Sequence, residues 1–170
     1  KMLEKILAGT DIVLLSDEVY EHIIFDENEH QSVSKYPELS NRAIIVSSFG
    51  KTFHTTGWKM GYVLAPSNLM PEFRKVFQFS QFSVSPPMQM AIADYLEDEK
   101  TYMELSAFYQ QKRDVFRGFI SESKCKLLHC SGTYFQCVDY SKISDKDDMA
   151  FVEWLTKDVK VAAIPVSAFY

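Results

Sequence analysis

The sequence predicts an α/β fold: a mostly parallel sheet with helices on both faces, followed by part of a small α+β domain. Three observations predict it. The runs Ile12-Val13-Leu14-Leu15 and Ala43-Ile44-Ile45-Val46 are short and apolar throughout, as strands of a sheet covered on both faces are. The segments 68–81, 87–98 and 101–123 space their apolar residues at helical intervals. After the last of these the pattern changes to strand-like runs joined to one further helix, which fits a small α+β unit. The division is predicted inside the long helix near Lys112, giving residues 1–111 and 112–170.

Composition narrows the function classes. A chain of 170 residues can bury one sizeable core. Its 46% hydrophobic and 24% charged residues are the balance of a soluble globular protein. The net charge of -5 and the lack of any basic run argue against a nucleic-acid partner. No apolar run is long enough to cross a membrane and the first residues do not read as a signal peptide, so a cytoplasmic location is expected. Cys125, Cys130 and Cys137 are odd in number and lack Cys-x-x-Cys spacing, so they read as free thiols and small core or strand residues.

In chain order, Leu3, Ile6 and Leu7 predict an opening helix that Gly9 can close. The strand Ile12–Ser16 follows and ends in Asp17-Glu18-Val19-Tyr20. Ile23-Ile24-Phe25 is a short strand-like run before a polar loop over 26–34. His22 and His30 are too isolated for metal ligands and read as solvated or hydrogen-bonded side chains. Ala43–Ser47 is a second buried strand. Met60–Ala65 is a third, stopped by Pro66.

A helix over 68–81 sets Met70, Phe73, Val76, Phe77 and Phe82 on roughly one face, which reads as core. Ser83-Val84-Ser85-Pro86-Pro87 interrupts it, and Pro87 can open the next helix, through Asp98. The long helix 101–123 has its charged face at Lys112, Arg113, Asp114 and Arg117. Strands are predicted near 126–130, 134–139 and 161–164. A helix over 147–158 can be capped by Asp147 or Asp148. No repeat or low-complexity segment is present.

The chemistry gathers in the segment from Val46 to Tyr62, a polar and turn-rich stretch held between two apolar strands. Gly50-Lys51-Thr52 has the ending of a phosphate loop, but Ile45 stands where that pattern needs a glycine, so the nucleotide cradle is missing. The other reading is a lysine, Lys51, that forms a Schiff base with an aldehyde cofactor, with the Ser48 hydroxyl and the Lys59 ammonium holding a cofactor phosphate. Alone, both lysines would read as ordinary solvated residues. Asp17 and Tyr20 change the balance, because an acid and a phenol at a strand's carboxyl end lie where ligands bind in open α/β sheets. Pyridoxal phosphate needs both an acid at its pyridinium nitrogen and a lysine for its aldehyde.

Together, Ser16-Asp17-Glu18-Val19-Tyr20-Glu21-His22 and the Ser47–Tyr62 segment resemble the fold-type I pyridoxal-phosphate enzymes, and among them the class I aminotransferases. The closest resemblance is to the branch acting on methionine, glutamine, kynurenine and aromatic amino acids. It extends over Gly132-Thr133-Tyr134-Phe135 and Val161-Ala162-Ala163-Ile164-Pro165.

The resemblance implies that Lys51 is the Schiff-base lysine and moves a proton between the substrate α-carbon and the cofactor. It implies that Asp17 pairs with the pyridinium nitrogen, that Tyr20 hydrogen-bonds the cofactor's phenolic oxygen, and that Ser48 and Lys59 bind its phosphate. Many aminotransferases have arginine at the Lys59 position; lysine keeps the charge without the bidentate fork. Thr55-Thr56-Gly57 reads as a turn that lets Lys59 reach the phosphate, and Glu18 and Trp58 as loop anchors. Val84 and Ser85 match a stretch that approaches the neighbouring subunit of a homodimer.

The family also has an asparagine–proline motif and a ring-stacking aromatic before the point matched by Lys1, and a carboxylate-gripping arginine beyond that matched by Tyr170. This chain is therefore expected to be an internal fragment of a longer protein. Alone it should be inactive and leave a sheet edge and an apolar face uncovered. Two alternatives stand beside amino transfer between an amino acid and a 2-oxo acid: a carbon–sulfur lyase or decarboxylase with the same cofactor, and a non-catalytic fragment.

Overall fold

The computed structural model describes residues 1–170. In chain order it contains α1 (Met2–Leu7), β1 (Leu14–Asp17), α2 (Pro37–Ser40), β2 (Ala43–Ser48), α3 (Phe49–Thr52), β3 (Gly61–Leu64), α4 (Met70–Ser80), α5 (Pro86–Leu96), α6 (Lys100–Met103), α7 (Leu105–Ser121), β4 (Lys126–Leu127), β5 (Val138–Asp139) and α8 (Asp148–Trp154). Two compact units are formed. One is Lys1–Lys112 together with Ser131–Phe135, and the other is Arg113–Cys130 together with Gln136–Tyr170.

The first unit is built on the sheet β1-β2-β3. β1 and β2 are parallel, with Leu14 opposite Ala43 and Asp17 opposite Val46. β3 returns antiparallel, with Ser48 opposite Gly61. Side chains alternate across β2, and Ala43, Ile45 and Ser47 are buried on one face. The other face is more open, with Leu15 68% exposed, so the expected cover on both faces is not complete within this chain. The α4 stripe read as core is also incomplete. Phe73 and Phe77 stack with centroids 6.0 Å apart, but Val76 and Phe82 are exposed.

Ile23 and Phe25 are the largest fully buried side chains. The segment between them pairs with 131–135 through a single antiparallel bridge, Ile24 to Gly132. Phe25 N donates to Ser131 O and Thr133 N to Ile23 O, both at 2.8 Å. The strand-like run Ile23-Ile24-Phe25 makes only this bridge, and the strand expected over 134–139 is confined to β5.

In the second unit β4 and β5 form a two-stranded antiparallel sheet. Tyr140 and Phe151 stack face to face at 3.9 Å. Asp147 is the N-cap of α8, its carboxylate accepting from Ala150 N at 2.8 Å. The strand expected at 161–164 does not form. Lys160, with φ 66°, closes a π-turn over Leu155–Val159, and Val161 and Ile164 point to solvent without a strand beside them.

Candidate active site

The parallel pairing of β1 with β2 sends both carboxyl ends to one edge of the sheet. Asp17 is the last residue of β1 and lies opposite Val46. Ser48, two positions on, points to the same side of the sheet as Val46 and hence as Asp17. One oxygen of the Asp17 carboxylate accepts from Val19 N at 3.1 Å, fixing the turn that leads to Tyr20.

Lys51 sits in α3, one turn beyond β2. Ser48 is the N-cap of that turn: its hydroxyl oxygen accepts from Gly50 N at 3.2 Å and its hydroxyl donates to Met60 O at 3.3 Å. Gly50 is required here, because a Cβ would lie 2.9 Å from Thr56 Cα. The loop back to β3 is thereby pulled against the lysine turn, and Thr56 donates to Gly50 O at 3.0 Å. Lys59 ends a short 3₁₀ turn in the left-handed conformation, φ 56°, ψ 41°, with its side chain exposed. Left-handed backbone is strained for a residue with a Cβ and clusters at functional sites.

Tyr134, from the segment 131–135, is the residue that sequence reasoning passed over except as part of a motif. Its ring lies edge-on to Tyr20, centroids 5.2 Å apart, and Lys51 Nζ is 5.7 Å from its centroid. Tyr109 stands 5.7 Å away and reaches His54 Nδ1 at 3.3 Å. Burial first, then Tyr134 and Asp17, push the Tyr20 phenol well above its ordinary value, so it keeps its proton at neutral pH. Burial also acts to raise Tyr134, but the neighbouring Lys51 ammonium and Tyr20 hydroxyl outweigh it and hold that phenol below its ordinary value.

A second polar cluster braces the site. Glu18 is buried and accepts from Ser16 at 3.0 Å, Val33 N at 2.9 Å and His30 Nε2 at 2.8 Å. It ties the loop after Phe25 to the residue next to Asp17. Glu21 accepts from Ser47 and Tyr62 hydroxyls, each at 2.6 Å. Ser47, a polar residue at a buried strand position, was the signal in the sequence for such a partner. A cavity of about 220 Å³ opens between Glu21, His22, Phe49, Thr52, Tyr62 and Tyr102 and includes none of the five candidate residues. The five candidate residues lie at the strand edge, outside that cavity.

A sheet that brings an acid and a lysine to the carboxyl ends of parallel strands has the architecture of the fold-type I transferases. Residues 1–170 match the family described as aminotransferase class I and II, and the chain belongs to that family. The methionine aminotransferase of Escherichia coli (strain K12) is 51% identical over 164 residues, covering 96% of this chain and 42% of that protein. The kynurenine–oxoglutarate transaminase of Dictyostelium discoideum is 35% identical over 181 residues, covering 95% and 42%. The crystal structure of YbdL from Escherichia coli, which identified a methionine aminotransferase function, superposes with a TM-score of 0.95 at 50% identity, covering 99% of this chain and 45% of that one. The chain thus spans less than half the length of these relatives.

The cofactor of this family is pyridoxal 5′-phosphate. The donor set fits it: a primary amine for its aldehyde, a carboxylate for its ring nitrogen, a protonated phenol for its phenolic oxygen, and a hydroxyl with an ammonium for its phosphate.

Proposed function

We propose that the whole protein transfers an amino group between an amino acid and a 2-oxo acid with pyridoxal 5′-phosphate, and that Lys51 is the catalytic residue. The supporting observation is the parallel β1–β2 register, which sets Asp17 and the Ser48–Lys51 turn at one sheet edge. When bound, the cofactor supplies an aldehyde that condenses with amines and a protonated ring that stabilises negative charge at the substrate α-carbon.

Lys51 would hold the cofactor through its amine at the aldehyde and, once free, would be the base that takes up and returns the substrate α-proton. Asp17 would pair with the pyridine nitrogen and keep it protonated. Tyr20 donates its hydroxyl hydrogen to the phenolic oxygen, which its raised pKa allows. Ser48 and Lys59 bind the phosphate; a Ser48 hydroxyl that turns to it can still cap α3 with its oxygen lone pairs.

Methionine is the first donor to test, given the 51% identity to a methionine aminotransferase, followed by kynurenine, glutamine and aromatic amino acids. The working form is proposed to be a cytoplasmic homodimer. The exposed aromatic side of α4, with Phe79 88% exposed, supports a covering surface. The deciding assay follows product formation by the whole protein with and without a 2-oxo acid. Strict dependence on the 2-oxo acid supports transamination; product without it supports a lyase or decarboxylase.

A further inference from the structure

We propose that Tyr134 is a positioning residue for Lys51, holding the lysine amine over the reacting atoms with its ring face and hydroxyl. The inference rests on the reading of Lys51 as the catalytic lysine.

The segment that delivers Tyr134 is built for placement. Residues 131–135 leave the unit formed by their neighbours on both sides and join the first unit. They are held there by the Ile24–Gly132 bridge and by the hydrogen bonds Phe25 N to Ser131 O and Thr133 N to Ile23 O. Gly132 is required at the crossing, since a Cβ there would lie 2.7 Å from Ile23 O. Thr133 adopts φ 66°, a strained conformation for a β-branched residue, and its hydroxyl accepts from Phe135 N at 3.1 Å. The strain turns the chain so that Tyr134 meets Tyr20 edge-on and presents its ring to Lys51 Nζ.

Core packing does not account for this arrangement, because Tyr134 is 38% exposed. Its titratable neighbours are Lys51, Tyr20 and Tyr109, and the Lys51 charge acts on its hydroxyl. Lysine is a point charge on a long flexible stem, so a freed amine needs an external contact to stay aligned for proton transfer. An aromatic face and a phenol oxygen give it one. Tyr20 is committed to keeping its proton, so Tyr134 is the phenol of the pair that responds to the lysine charge.

The test uses the whole protein and the variants Tyr134→Phe and Lys51→Met. Thermal melting first establishes that both fold. In the cofactor-free proteins, alkaline titration of phenolate absorbance, taken as the difference from Tyr134→Phe, isolates the Tyr134 phenol. It is expected to titrate below the ordinary phenol range and to move up in Lys51→Met. With cofactor, Tyr134→Phe is expected to lower kcat about tenfold, the scale of one lost hydrogen bond, with KM unchanged. A Tyr134 titration indifferent to Lys51→Met, or an unchanged kcat in Tyr134→Phe, overturns the proposal. Borohydride trapping of the wild-type protein separates the two readings. Failure to label Lys51 removes the catalytic lysine and this proposal with it, whereas labelled Lys51 with an unchanged Tyr134→Phe removes only the role of Tyr134.

Discussion

The Ser48 hydroxyl oxygen lies 3.2 Å from Gly50 N and caps the turn that presents Lys51. One side chain thus has a structural duty and, in the proposed function, a phosphate-binding duty. The two are separable. Ser48→Ala removes both and should lower stability by about 1 kcal/mol while weakening cofactor binding. Ser48→Asp keeps an equally good cap but sets a negative charge against a phosphate. Stability should fall by about 1 kcal/mol, from the lost donation to Met60 O rather than from the cap, while the cofactor Kd, followed by absorbance titration, rises about a hundredfold or more.

Glu18 anchors the loop after Phe25 through His30 and Val33 N. Its removal leaves buried donors without an acceptor, so Glu18→Ala should cost about 3 kcal/mol in denaturant unfolding. Burial acts to raise the Glu18 carboxyl, but the hydrogen bonds from His30, Val33, Ser32 and Ser16 hold it below its ordinary value of 4.5. A carboxyl lowered in the folded state stabilises above 4.5 and loses that contribution as pH falls through the folded value. Wild-type stability should therefore drop on acidification below about 4.5 more steeply than that of Glu18→Gln.

Tyr62 gives the opposite sign at the other end of the scale. Burial and the Glu21 carboxylate raise its phenol from 10.0 to about 12. A group raised on folding contributes fully below its unfolded pKa and loses the contribution as pH rises through the folded one. Between pH 10 and about 12 the wild type should lose stability that Tyr62→Phe does not lose, measured by chemical denaturation across that window.

Lys59 combines a left-handed backbone with an exposed ammonium. Lys59→Gly should leave melting unchanged or raise stability by up to about 1 kcal/mol, because glycine accepts that conformation without strain. The same variant should bind cofactor more weakly. Lys59→Arg should bind it at least as tightly as wild type, since the fork adds a second hydrogen bond to phosphate.

The sequence made the first unit largely legible because its strands depend on local pattern. Ala43–Ser48 begins as an apolar run whose local pattern is enough to mark a buried strand, whereas the Ser48 cap on the lysine turn is braced from Met60 and Thr56. The parts that differ depend on partners distant in sequence. Val161–Ile164 has strand propensity but no neighbouring strand to pair with, and β propensity is realised only against neighbours. The stripe on α4 has the spacing of a core face, yet Val76 is exposed, and so is Phe82 just beyond the helix end. Tyr134 was hidden for the same reason: its approach to Lys51 is created by the Ile24–Gly132 bridge and the turn at Thr133, neither of which has a local signature.

The most direct test of the central claim is cofactor trapping. The whole protein is incubated with pyridoxal phosphate, reduced with borohydride, digested, and the adduct mapped by peptide mass. A single label on Lys51, abolished in Lys51→Met, is the result predicted by an amine presented at the strand edge beside Asp17 and Tyr20. A label on Lys59, labels scattered over surface lysines, or none at all would contradict it.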